Sequence, residues 1–350
     1  MTQKLNEFKN YLGTDFSEFT YCLMVICIIY FFIFLPSYFL LNILERKIIA
    51  DFQARVGPRL VGGKGMPQSI VDFFKLLQKG GGPIIKKQEF FGFCMQWGAL
   101  FYSIAVLPYG SYLFLIDTEL SMFFPFLGIL IFILSTLFLG LSRERVKSTL
   151  GHLKIVSQAI TGIFPALVCI LSLGVCLDGF NWAALIVFHG GFFFHWMVFT
   201  NPFLFISFFI FVISGLIIFN LPPLEESLSL LGGRGYVSSE YSGGQAGLFS
   251  LMRFGSLFLW SVMSALLFLG GWTLPHALQV LLDTKRLFLL TQCLEVFILL
   301  TKTFFLMIVI LVLSAVTPRL RTDQVTDFSW KVLSPLALFC LIGSAVLRFV

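Results

Sequence analysis

Charge is what this sequence has least of. Of its 350 residues only 12% are Asp, Glu, Lys or Arg and 58% are apolar, whereas soluble domains carry about 25% charged residues. No long polar block is present that would fold as a separate soluble domain. Paired cysteines are missing too. Cys22, Cys27, Cys94, Cys169, Cys176, Cys293 and Cys340 sit mostly in apolar runs and form no CxxC, so they read as small buried hydrophobes. There is no iron–sulfur or zinc ligand pattern, no Gly-rich nucleotide loop and no HExxH. These absences exclude a redox cofactor or metal held by motif in this chain, and nothing points to a nucleic-acid partner. The N-terminal stretch 1–19 is polar and of mixed charge; it lacks the basic start and cleavage site of a secretory signal.

What is present is apolar sequence in membrane-length runs. A mean hydropathy of +0.93 fits a protein whose solvent is largely lipid, and each crossing needs about 20 apolar residues. We read an all-α integral membrane protein: one membrane domain over 1–350, with eight transmembrane helices at about 20–44, 90–115, 122–142, 150–176, 198–221, 245–272, 287–314 and 332–349. Pro108 falls in the second span, and Gly162 and Pro165 in the fourth. Kinks there are tolerable where neighbouring helices cover the freed backbone. The apolar segment 180–196, with His189 and His195, reads as a connecting hairpin or re-entrant stretch.

The connections differ sharply in charge. Segment 45–89 carries nine basic residues, 143–154 has Arg143, Arg145, Lys147 and Lys154, 222–243 has Arg234, and 315–331 has Arg319, Arg321 and Lys331; the opposite side has Lys4, Lys9, Lys285, Arg286 and Arg348. The basic side then faces the matrix or cytoplasm. Within the first basic segment, 67–79 is an amphipathic interfacial helix. Gln68, Asp72, Lys75 and Lys79 form one polar stripe, Pro67 starts it, and Gly80-Gly81-Gly82-Pro83 stops it.

The motifs are distinctive. Glu45-Arg46-Lys47 is followed by Gln53-Ala54-Arg55-Val56-Gly57-Pro58-Arg59, Gly62, Gly65, Gln68, Asp72, Lys75-Leu76 and Lys79. Later come Phe219-Asn220-Leu221-Pro222, Glu240-Tyr241-Ser242-Gly243, Leu267-Phe268-Leu269-Gly270-Gly271-Trp272 and Pro318-Arg319-Leu320-Arg321-Thr322-Asp323-Gln324, with Trp330-Lys331 and Pro335 beyond. In this order, over about residues 25–340, the chain resembles subunit 1 of NADH:ubiquinone oxidoreductase, respiratory complex I. The resemblance implies a place at the heel of the membrane arm. There the subunit docks the peripheral arm, encloses a ubiquinone tunnel with peripheral-arm subunits, and helps couple quinone reduction to proton translocation. NADH, FMN and iron–sulfur clusters reside in other subunits, so no complete active site lies in this chain alone. The implied partners are the other membrane-arm subunits, the quinone-site peripheral-arm subunits, ubiquinone as substrate and membrane lipid, with bound phospholipid such as cardiolipin a further candidate. The implied location is the mitochondrial inner membrane, with a bacterial plasma membrane as alternative. The 44 Phe suit either an A/T-rich mitochondrial genome or an A/T-rich bacterium.

Carried onto this sequence, Glu45, Arg46, Arg55 and Asp72 fall at the tunnel mouth or arm-docking surface, and Arg319, Arg321 and Asp323 support the same floor. Glycines and a proline among the charges indicate a loop of fixed path, which favours paired contacts to a protein partner; anionic lipid is the other reading. Internal ion pairing is the alternative role for Arg319, Arg321 and Asp323. His152, His189, His195 and His276 are not nominated as quinone ligands.

The departures concern the proton path. Gly162-Ile163 stand where the family has Tyr-Glu, Ile213 to Leu216 where it has Glu-Thr-Asn-Arg, and Met252-Arg253-Phe254 where it has Ala-Glu-Tyr. Pro223 replaces a further acid, while Lys302 fits a family lysine. Intramembrane acids are costly and usually functional. Glu225, Glu226 and Glu240 remain as proton-relay candidates, with Glu295 and Lys302 deeper in span seven. Arg253 is expected to pair with one of the loop acids. The alternatives are a structural or quinone-site subunit with a rerouted or lost proton path, and the membrane subunit of an energy-converting hydrogenase.

Overall fold

The structure is a computed structural model that describes residues 18–59, 61–79, 87–116, 118–142, 146–177, 179–189, 196–221, 224, 243–273, 288–318 and 320–349. Its helices in chain order are α1 (Glu18–Ile28), α2 (Leu35–Phe52), α3 (Gln68–Gln78), α4 (Lys87–Val106), α5 (Phe124–Ser142), α6 (Val146–Leu177), α7 (Trp182–His189), α8 (Met197–Thr200), α9 (Pro202–Ile218), α10 (Gly244–Phe268), α11 (Phe288–Val316), α12 (Thr322–Phe328) and α13 (Ser334–Phe349). The protein is all-α and membrane-embedded, and helical residues occupy most of each of the eight expected stretches. Among the described residues, six helical stretches are long and apolar enough to cross a membrane. The other two are α9, shorter at 17 residues, and α4, 20 residues long and begun by Lys87 with Glu89.

Prolines set the irregularities. Proline lacks the N–H that would bond the carbonyl four residues back, and the helix can widen locally to a π turn. Two π turns, Ile29–Phe34 and Ser329–Leu333, each end two residues before a proline, Pro36 and Pro335. They let α1 run on into α2 and α12 into α13. Pro165 stays inside α6. The carbonyl it frees, that of Thr161, accepts a hydrogen bond from Ser329 Oγ at 2.7 Å, so the π turn of one helix covers the proline gap of another. Pro202 opens α9 after Asn201, whose φ of −135° and ψ of 135° are extended, as the residue before proline prefers. The expected span 198–221 is therefore broken into α8 and α9.

Other boundaries also move. α4 stops at Val106, before Pro108, rather than running kinked to 115. Part of segment 180–196 is helical, as α7. The largest shift is at α2, which continues past residue 44 to Phe52. Glu45, Arg46 and Asp51 are helical rather than loop residues, and the helix carries Asp51 about 10 Å past residue 44, at 1.5 Å per residue.

The core is organised around α10. In its most apolar stretch 94% of residues are buried, against 33% for α11. It packs on α2, α3, α4, α9 and α11. Trp260 anchors it: its ring stacks on Phe211 with centroids 4.4 Å apart, and its indole N–H donates to the Phe211 carbonyl at 2.9 Å. Around this centre α6 packs against α5, α9 and α13, while α4 pairs with α5. Phe31, Phe32, Phe297, Phe305 and Ile342 stay exposed, as expected of surfaces facing acyl chains or partner subunits.

Candidate functional site

The predicted charges converge where α2, α3 and α10 meet. On α2, Tyr38, Asn42 and Glu45 lie at i, i+4 and i+7, hence on one face, and that face meets α10. Tyr38 Oη lies 3.1 Å from Ser250 Oγ. One turn along α10, the Arg253 guanidinium donates to Glu45 at 2.8 Å. The pair is half-buried, its side chains 34% and 14% exposed. Arg46, next on α2, faces α3 and bonds Asp72 at 2.5 Å in a more exposed setting, 43% and 28%. Beneath these pairs lies an aromatic cluster. Tyr38 meets Phe39, Phe73 and Phe254 edge-on at centroid distances of 5.1, 5.8 and 5.7 Å. Edge-to-face packing of this kind adds about 0.5–1.5 kcal/mol per pair beyond area burial.

Helix α3 lies across this junction. Leu76 packs under Gly247 of α10, while Ile70, Val71, Phe74 and Leu77 remain exposed, so the helix has an apolar side for lipid and a polar side for Arg46. The turn that delivers it is tightly built. Gly65 has φ of +76°, and an added Cβ would meet the Pro58 carbonyl oxygen, so only glycine fits. Beyond the junction Arg55 Nε donates to Gln53 at 2.7 Å, and Arg55, Arg59, Lys75 and Lys79 are exposed. The result is a surface of net positive charge above a neutralised, half-buried floor.

Arg253 pairs with Glu45, because α2 extends far enough to bring that carboxylate against α10; the loop acids expected to meet it lie outside the described residues. Arg321 and Asp323 are brought together at 3.2 Å on an exposed surface, where Arg321 also opens α12, its N–H donating to Gln324 Oε1 at 3.2 Å. Glu225, Glu226, Glu240 and Arg319 lie outside the described residues, as do His195 and His276. His152 is buried and bonded to the Ser148 carbonyl at 2.8 Å. Tyr38, Asn42 and Ser250 escaped the sequence reading; the spacing of Tyr38 and Asn42 with Glu45 was the available signal.

Lys302 has a distinct place. Its ammonium donates to the carbonyls of Leu269 and Gly271, both at 2.8 Å, and sits 4.4 Å from the Trp196 ring centroid. A cation at the carbonyl end of α10 complements the helix dipole and gains a cation–π contact. Among the described residues no group of His, Cys, Asp and Glu is arranged to hold a metal ion.

This architecture defines an all-helical, multi-pass membrane protein with a charged helical junction and an interfacial helix at one face. The NADH dehydrogenase family pattern matches residues 23–345, and the chain belongs to that family. It is 32% identical over 312 residues to an NADH-quinone oxidoreductase subunit of Chlorobaculum tepidum, covering 86% of this chain and 85% of that protein. The corresponding protein of Chlorobaculum parvum is 31% identical over 313 residues, 86% and 85% of the two chains.

Proposed function

We propose that this chain is the membrane-arm subunit of a proton-pumping NADH:quinone oxidoreductase that seats the peripheral arm and forms the membrane mouth of the ubiquinone tunnel. The observation that carries this is the α2–α3–α10 junction. An interfacial helix is held by Arg46–Asp72, the floor is neutralised by Glu45–Arg253, aromatic rings lie beneath and exposed Arg and Lys above. An amphiphile with a long apolar tail needs an apolar passage with few polar groups; a soluble partner needs fixed charges on a rigid edge. Arg55 and the Arg321–Asp323 pair extend the docking edge, with Arg319 as a further candidate. Electron transfer belongs to partner subunits, with ubiquinone as substrate. Anionic phospholipid such as cardiolipin suits the basic face. The membrane is the mitochondrial inner membrane or its bacterial counterpart, the relatives being bacterial. Relatives named as quinone oxidoreductase subunits favour this reading over a hydrogenase component.

One observation favours a second reading of the coupling role, in which the proton route through this subunit is rerouted or lost. Two positions where the family carries polar groups, Gly162 and Gly215, are closed by packing. A Cβ on Gly162 would sit 3.0 Å from Ile217, Ile218 and the Ser214 carbonyl, and one on Gly215 would strike the Trp260 ring. Close helix contact of α6 with α9, and Trp260 seated on α9, leave no room for a larger side chain at Gly162 or Gly215, while Ile163 and Ile213 put apolar side chains at the two acid positions. Glu225, Glu226 and Glu240 remain candidates for a retained route.

The test is gentle purification from the native membrane with mass spectrometry of the company, together with NADH-oxidising activity and its block by a quinone-site inhibitor. A very large NADH:quinone particle supports the proposal. Migration alone, or with hydrogenase-type partners and no quinone activity, contradicts it.

A further inference from the structure

At the end of the bundle away from the basic loops, a polar cluster is buried where the turn after α4 meets α11. Glu295 of α11 is 8% exposed. Its Oε2 accepts the Ser111 backbone N–H at 2.7 Å and the Gln292 amide Nε2–H at 3.2 Å. The same Nε2 donates to Ser111 Oγ at 2.6 Å. Among the described residues Gln292 Oε1 is buried without a hydrogen-bond partner. Gly110 closes the cluster: a Cβ there would crowd Glu295 Oε2 at 3.1 Å and Gln292 Oε1 at 3.2 Å, so the absence of a side chain makes room for both oxygens.

From this arrangement we infer that Glu295, Gln292 and Ser111 form a proton-binding site on the face opposite the basic loops, with Glu295 the group that takes and releases the proton. Carboxyls this deep in a membrane domain are costly unless they serve a purpose, and this one sits among partners that suit both of its states. Ionised, Glu295 accepts from Ser111 N–H and Gln292 Nε2. Protonated, its O–H needs an acceptor, and a half-turn of the Gln292 amide supplies Oε1 at the same place while Ser111 O–H becomes a donor to it; hydroxyls and amides can play either part. The step balances as hydronium plus carboxylate giving water plus carboxylic acid, with no oxidant or reductant.

Tyr109 and Tyr112 flank Ser111, Tyr21 of α1 donates to the Tyr112 carbonyl, and Lys302, two turns further along α11, is held by the Leu269 and Gly271 carbonyls. The inference stands apart from the quinone reading, since it needs only this cluster and the membrane.

The test is infrared difference spectroscopy of the purified native particle between acid and alkaline pH, in H2O and D2O. Glu295→Gln, which is close to isosteric, is expected to remove one protonated-carboxyl band while the particle still assembles. Gln292→Leu is expected to shift that band without removing it. If assembly of the Gln variant fails, Glu295→Asp keeps the carboxyl and displaces it, so the band must shift. Retention of every carboxyl band in Glu295→Gln, an unshifted band in Glu295→Asp, or a band that follows sodium concentration and not pH overturns the inference.

Discussion

Replacing Arg253 with Gln strands Glu45 in a half-buried site. At 2.8 Å, and with an effective dielectric of about 20, the two charges attract by roughly 6 kcal/mol. Most of that is offset by the desolvation of both ions. Removing one partner of a fully buried pair costs about 3–5 kcal/mol; exposures of 34% and 14% bring this to about 2–3 kcal/mol by the same reasoning. Glu45→Gln leaves Arg253 free to reach water along its more exposed side, so its cost is the smaller of the two. The assay is the thermal midpoint at which the purified particle loses this subunit, for wild type, both single variants and Glu45→Gln/Arg253→Gln. The double variant is expected to be less destabilised than the sum of the singles by about 1–2 kcal/mol, the signature of groups in contact. Additive effects would refute the claim that this pair holds α2 to α10.

Other consequences follow from single contacts. Ser329→Ala uncovers the Thr161 carbonyl that Pro165 frees and should cost about 0.5–2 kcal/mol, read as earlier thermal loss of the subunit, with Ser329→Thr retaining most of the stability. Lys302→Met leaves the Leu269 and Gly271 carbonyls without their donor and should destabilise by about 2–4 kcal/mol, with Lys302→Arg a partial rescue in the same assay. Asp72→Asn breaks an exposed pair worth about 0–1 kcal/mol; stability should barely change while quinone reductase activity falls, because α3 loses its tether at the junction. Gly215→Leu should abolish assembly on a native gel, since its side chain takes the space of the Trp260 ring.

Hydropathy and charge reveal the helices well because lipid leaves the backbone so few choices. The charged junction is legible for the same kind of reason: Glu45, Arg46 and Asp72 are expensive beside a membrane, and the structure places all three in ion pairs where α2, α3 and α10 meet. What escapes a sequence is geometry set at a distance. The run of α2 past residue 44 depends on support from α3 and α10, so the pattern alone leaves Glu45 in a loop and does not show that it meets Arg253. Asn201-Pro202 looks like part of one span because its apolar surroundings outweigh the break. Ser329 covering Thr161, and Trp260 filling the space beside Gly215, join residues far apart in sequence that no local pattern links.

The most direct test of the tunnel-mouth proposal is photolabelling of the intact particle with a photoreactive ubiquinone analogue, followed by peptide mapping. The account predicts label on α2, α3 or α10 near Tyr38, Phe73 and Phe254, competed away by excess ubiquinone and reduced in Asp72→Asn. Label confined to other subunits, or label here that ubiquinone does not displace, would contradict it.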